Sequence, residues 1–134
     1  MRRFRIFVPL LLALCLFAYE SYAQPFSSAD QAEAFYANLP DSAIELIDKT
    51  IPDVAFVTPE RPRKLLVFNL DIWNGEIRKG HPSVPYANYM IQLMGKRTGA
   101  YETYFSNDTM VFQSAWLNQF DAICFNNTVG VLFE

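Results

Sequence analysis

A parallel α/β sheet is the fold the sequence predicts from Lys64 onward, and three observations predict it. Leu65-Leu66-Val67-Phe68 and Ala122-Ile123-Cys124-Phe125 are unbroken apolar runs of strand length, as expected of strands covered by helices on both faces. Between the first of them and a third, mixed run, Ala100 to Phe105, the apolar residues Val84, Ala87, Ile91 and Met94 recur at helical spacing. The resulting order of strand, helix, strand, short helix, strand is that of successive right-handed crossovers.

The amino terminus stands apart from this fold. Met1-Arg2-Arg3-Phe4-Arg5 is a basic segment, Ile6 to Tyr19 is apolar, and Ser21-Tyr22-Ala23 has the small-x-small form of a cleavage site. The apolar run is shorter than the roughly 20 residues that span a bilayer. A signal peptide over residues 1–23 is therefore expected, with export to the periplasm or the exterior and no stable membrane anchor after cleavage. Cys15 does not suit lipid attachment, because Leu14 precedes it and the apolar run continues past it. Cleavage removes Cys15 and leaves Cys124 as the single cysteine, so no internal disulfide can form and stability must come from a core. It also removes Arg2, Arg3, Arg5 and Glu20, leaving 8 of 11 basic and 13 of 14 acidic side chains, a net of −5. That balance, without a basic patch or aromatic platform, argues against a nucleic-acid partner.

Residues 24–63 read as a helical preface and a proline-containing linker. Ser28 with Gln31, and Ser42 with Glu45, have capping-box spacing, and Ile44, Ile47 and Ile51 recur helically until Pro52. Pro59 and Pro62 mark an extended connector. No residues here are grouped for chemistry, so a spacer or a packing appendage is expected.

Within the domain, residues 64–134, Lys64 to Phe68 is the opening strand. Pro85 is tolerated in the first turn of the following helix, and Thr98-Gly99 turns the chain into the second strand. Glu102 and Thr103 interrupt the aromatics of that strand and predict one exposed side. Ser114 is placed to cap a short helix running through Gln119, whose Trp116 and Leu117, with Phe120, cover the sheet. The simplest strand order is second, first, third, the start of a flavodoxin-like sheet. Such a sheet leaves the apolar third strand with an open edge, and a domain this small buries only about 60% of its unfolded surface. The expectation is a truncated product, a fragment, or one part of something whose partner or missing segment completes the sheet.

In order along the chain, the characteristic stretches are Lys64 to Phe68, His81-Pro82-Ser83-Val84-Pro85 at the helix start, Met94 to Glu102, Ser106-Asn107-Asp108, Gln119 to Ala122 and Phe125-Asn126-Asn127-Thr128. Their order and spacing resemble the ThuA-like (trehalose utilisation) family of the class I glutamine amidotransferase-like superfamily, especially secreted bacterial versions. The resemblance covers only the amino-terminal part of that domain. It lacks the later strands, including the elbow where true amidotransferases carry a nucleophilic cysteine. The family usually has a short Gly-aromatic-Arg-His run before the histidine, whereas here Asp71 to Gly80 intervenes. The resemblance implies a link to utilisation of trehalose-type or oxidised sugars, with a small-molecule carbohydrate as partner. The alternative is a non-catalytic sugar-binding or interaction module.

Functional groups of such sheets sit on loops at the carboxyl ends of strands. Two loops qualify, Leu70 to Ser83 and Asn126 to Gly130. His81, the only histidine, is the catalytic candidate, suited to proton transfer by its near-neutral pKa; its other reading is a helix-start residue bonding nearby backbone. Ser83 can orient a substrate hydroxyl or cap the helix, and the adjacent amides can hold an anion. Asn126, Asn127 and Thr128, with Asn69 at the neighbouring strand end, suit sugar hydroxyls, while turn formation explains asparagine equally. Trp73 and Arg78 can stack on a sugar or stand as solvated loop residues. Asp71, Glu76 and His81 do not make a compact ligand set, so neither a metal nor a cofactor is called for. Cys124, inside a strand, reads as a buried thiol.

Overall fold

The computed structural model describes residues 23–133. The basic and apolar parts of the expected signal peptide lie outside the described residues. In chain order the strands are β1 (Lys64–Phe68), β2 (Asp71–Trp73), β3 (Glu76–Arg78), β4 (Glu102–Ser106) and β5 (Ala122–Phe125). The α-helices are α1 (Asp41–Thr50), α2 (Val84–Thr98) and α3 (Ser114–Leu117), with 3-10 segments at Ala29–Phe35 and Thr109–Phe112. β1, β4 and β5 form a parallel sheet in the order β4-β1-β5, so the expected order of second, first and third strand is the one observed. Among the described residues no helix is long and apolar enough to cross a membrane.

β1 occupies the centre, with apolar side chains buried on both faces. Leu66 and Phe68 point to one side, where they meet Phe26, Leu70 and Val111, with Phe112, Trp116 and Phe120 around them. Val67 points to the other and joins Ala32 and Phe105, flanked by Phe35, Tyr36 and Ile91. Leu66, Val67, Phe68 and Phe105 have no exposed surface, and full burial of such a side chain stabilises by roughly 1.5–3 kcal/mol.

β4 departs from the one-sided exposure expected of it. Only Glu102 is exposed; Thr103 is buried. The cause is the preface. Ser27 N–H donates to Phe105 O at 2.8 Å and Phe105 N–H donates to Ser27 O at 2.9 Å, so the outer edge of β4 is paired by the chain that precedes the domain. Phe26 meets Tyr104, Trp116 and Phe120 edge to face, and Phe35 stacks on Phe105 with centroids 5.3 Å apart. The preface is thus part of the core rather than a spacer. Among the described residues β5 has no such cover: it pairs with β1 alone, and Ile123 and Phe125 remain exposed.

Three helix starts differ from the capping pattern in the sequence. α1 begins at Asp41 behind Pro40, whose carbonyl accepts from Ala43 N–H at 2.9 Å, so Ser42 lies inside the first turn and forms no box with Glu45. Ser83 has helical backbone angles and no capping bond, because its hydroxyl is committed to His81. α3 is preceded by Gln113 and ends at Leu117, short of Gln119, whose side-chain amide donates to Trp116 O at 2.8 Å. α2 ends as expected, with Gly99 in the left-handed region at φ 67°. Gly95 lets β4 approach α2: a Cβ there would lie 2.6 Å from the Tyr101 ring.

The long loop after β1 is not irregular. Asn74 (φ 52°) and Gly75 (φ 79°) form a two-residue turn with both residues left-handed, and β2 and β3 pair antiparallel across it. The hairpin is held to the chain end, since Ile72 N–H donates to Val129 O and Val129 N–H to Leu70 O, both at 2.9 Å. Gly130 makes this docking feasible, because a Cβ would stand 2.1 Å from Ile72 O.

Candidate functional site

Three loops converge where the parallel strands end. Asn69 N–H donates to Ser106 O at 3.1 Å, tying β1 to β4. Phe68 O accepts from Asn126 N–H at 2.8 Å and from Thr128 Oγ1 at 3.0 Å, tying β1 to the loop after β5. Thr128 thereby serves the backbone.

Beneath this rim lies an asparagine network whose hub is Asn88, fully buried on α2. Asn88 follows Val84 by one helical turn, which places it on the sheet-facing side. Its Nδ2 donates to Phe35 O at 3.0 Å and to Asn69 Oδ1 at 3.4 Å, and its Oδ1 accepts from Asn126 Nδ2 at 2.8 Å. Asn126 Nδ2 also donates to Val84 O at 3.2 Å. Among the described residues no buried side-chain polar atom lacks a partner, so this network orients the rim without unmet hydrogen bonds. Asn126 is a member of it.

Above the network is a cavity of about 230 Å³. Its polar lining is Asn69, Asp71, Arg78, Lys79, Asn107 and Asn127, over apolar walls from Leu70, Ile77 and Val84. The β2–β3 hairpin supplies Asp71, Arg78 and Lys79, and the loops after β1, β4 and β5 supply one asparagine each. Asn127 sits at φ 53°, so turn formation and a place in the cavity belong to the same residue. Trp73 carries the Arg78 guanidinium over its ring at 5.5 Å and is itself half exposed.

The candidate site residues therefore fall into separate groups. Asn69 and Asn127 share the cavity, Asn126 and Thr128 hold the frame beneath it, and His81 and Ser83 form an exposed pair outside its lining. Ser83 N–H donates to His81 Nδ1 at 3.2 Å, which makes Nδ1 an acceptor; the Ser83 hydroxyl, 2.7 Å away, then donates to the same nitrogen. Neutral His81 consequently carries its proton on Nε2. Of the amides at this helix start, Val84 N–H is bonded to His81 O at 3.0 Å, Ser83 N–H is bonded to His81 Nδ1, and Pro85 has none. Asp71, Glu76 and His81 are not brought together, and among the described residues no three potential ligands cluster for a metal. Burial pushes the half-buried Cys124 thiol up, away from the reactive thiolate.

At the opposite end of the strands, Asp121 accepts from Lys64 N–H at 2.9 Å, from Arg61, and from Arg63 Nη1 at 3.1 Å. The backbone bond from Lys64, then the Arg61 contact, holds its pKa down at about 2. The groove beside it, about 450 Å³, is larger but mostly apolar, and its Arg63 and Asp121 are already paired with one another.

Asn88, Asn107 and Lys79 were not legible as site residues. Asn88 has a signal, a lone amide in phase with Val84 and Ile91, but the pattern of apolar residues hides it. Asn74-Gly75 is a strong hairpin signal for the loop that carries Arg78 and Lys79. Compared with known proteins, the chain matches no family model, no curated protein and no solved structure.

Proposed function

We propose that this chain is an exported, ThuA-like protein of flavodoxin-like topology that binds a small carbohydrate at the rim where β1 and β5 end. The cavity lined by Asn69, Asn107 and Asn127 carries the reading. Side-chain amides donate and accept at once, which matches the double character of sugar hydroxyls. At about 230 Å³ the cavity lies below the roughly 300 Å³ at which pockets for drug-sized ligands begin, so it suits one sugar ring better than a trehalose-type disaccharide.

A second reading, a carbohydrate-linked enzyme, rests on the His81–Ser83 pair. The ring nitrogen with the free lone pair, Nδ1, is held by the Ser83 amide and hydroxyl, and Nε2–H is left to donate to a ligand.

The two readings separate in one titration. The protein purified from cells expressing the full-length chain is titrated with neutral and acidic monosaccharides and with trehalose, followed by NMR of the asparagine side-chain amides. Saturable shifts at Asn107 and Asn127, with sugar recovered unchanged, are expected. Asn107→Ala and Asn127→Gly, the latter keeping the left-handed backbone, each weaken binding by roughly 3- to 10-fold, the worth of one hydrogen bond. Sugar altered on incubation, and spared by His81→Ala, supports the enzyme. Absence of any rim shift with every sugar refutes both.

A further inference from the structure

The charges around the rim cavity specify its ligand more closely, an assignment that rests on the carbohydrate-binding reading above. Arg78 and Lys79 both line the cavity, against one carboxylate, Asp71. Asp71 stands opposite Arg78 in the β2–β3 register. Even so, among the described residues neither Arg78 nor Lys79 lies within ion-pair distance of a carboxylate. The other acids nearby are directed elsewhere. Asp108 accepts from Met110 N–H at 2.9 Å within its own turn, and Glu76 stands opposite Trp73 at the far end of the hairpin.

Two cations against one carboxylate in a small polar cavity create a local potential that favours an anion. The Arg78 guanidinium lies over the Trp73 ring at 5.5 Å, a cation–π contact that leaves its N–H donors for a two-oxygen partner. Asp71 limits the total charge that is welcome. Its carboxylate opposes a dianion such as a phosphate more than a monoanion, and it can accept from sugar hydroxyls.

We propose that the ligand is a sugar acid, a single-ring or open-chain polyol bearing one carboxylate. The carboxylate meets Arg78 and Lys79; the hydroxyls meet Asn69, Asn107, Asn127 and Asp71.

The full-length protein is titrated with glucose, glucuronate, gluconate and glucose 6-phosphate by calorimetry, at low and high salt. A sugar acid is expected to bind about tenfold more tightly than glucose at low salt, the worth of one charge-assisted contact, with the advantage shrinking as salt screens it. In Arg78→Gln and Lys79→Gln, shown to be folded by an unchanged unfolding midpoint, the ratio of the two affinities falls towards one. Equal binding of glucose and both acids at low salt overturns the sugar-acid assignment and leaves carbohydrate binding standing. Tighter binding of glucose 6-phosphate than of either acid overturns the carboxylate in favour of a phosphate. An acid preference that survives both substitutions overturns the placement of the anion. Absence of binding by all four refutes the carbohydrate reading itself.

Discussion

Replacing Asn88 with alanine takes away, from a position with no exposed surface, the group that joins α2 to both strand ends and to the preface. Asn126 Nδ2 loses an acceptor at 2.8 Å but keeps Val84 O, while Phe35 O loses its donor at 3.0 Å outright. Each buried polar group left without a partner costs about 1–3 kcal/mol. Alanine's better helix propensity returns about 0.6 kcal/mol. A net loss of about 2 kcal/mol follows, which lowers the melting temperature of a chain this size by roughly 10 °C. Urea unfolding checks it, with a lower midpoint and an unchanged slope. The double variant with Asn126→Ala should fall short of additivity by about 0.5 kcal/mol or more, since the two side chains share a bond. Asn88→Asp should be worse at neutral pH, by about 3 kcal/mol or more, because an ionised oxygen then faces Phe35 O and Asn69 Oδ1. Such a buried carboxylate has a raised pKa, so this loss is present above that pKa and relieved below it. Stability of Asn88→Ala within about 0.5 kcal/mol of the parent would refute the reasoning, since that is the range of inconsequential surface changes.

Asp121, whose folded pKa of about 2 lies below its ordinary value, contributes stability that is complete above the unfolded pKa and is lost as pH falls towards 2. Asp121→Asn should therefore unfold earlier than the parent at neutral pH and converge with it near pH 2; a gap that stays constant across that window counts against the assignment. Phe26→Ala should destabilise by about 3–5 kcal/mol, as a buried aromatic core residue does, although Phe26 precedes the sheet by a long linker. A loss below about 1 kcal/mol in calorimetric unfolding would show that the preface is only an appendage, as for surface substitutions.

The helical and strand periods were legible because burial on a regular element repeats along the chain. Lys64 to Phe68 and Ala122 to Phe125 were read as strands from their apolar continuity, and both occupy those residues. The start of α2 near Val84 and its stop at Gly99 followed from Pro85 and the glycine. The hairpin was obscured because Asp71 to Arg78 is mostly polar, and its signal lies in the turn dipeptide rather than in apolar alternation. The caps failed for local reasons: Ser42 and Ser114 fall inside helices that begin behind Pro40 and Gln113, and the Ser83 hydroxyl is bonded to His81.

By itself the sequence determined the α/β class, the strand order and the positions of Asn69, Asn126 and His81 at strand or helix ends, because these follow from local period and from the handedness of crossovers. Only the tertiary structure decided which of those residues share a site. Asn69 and Asn126 meet through a buried amide 19 and 38 residues away from them, and Ser27 closes the edge of β4 across the whole domain. Such contacts leave no period along the chain, since a hydrogen bond between distant segments depends on how their elements pack and not on the spacing of their residues.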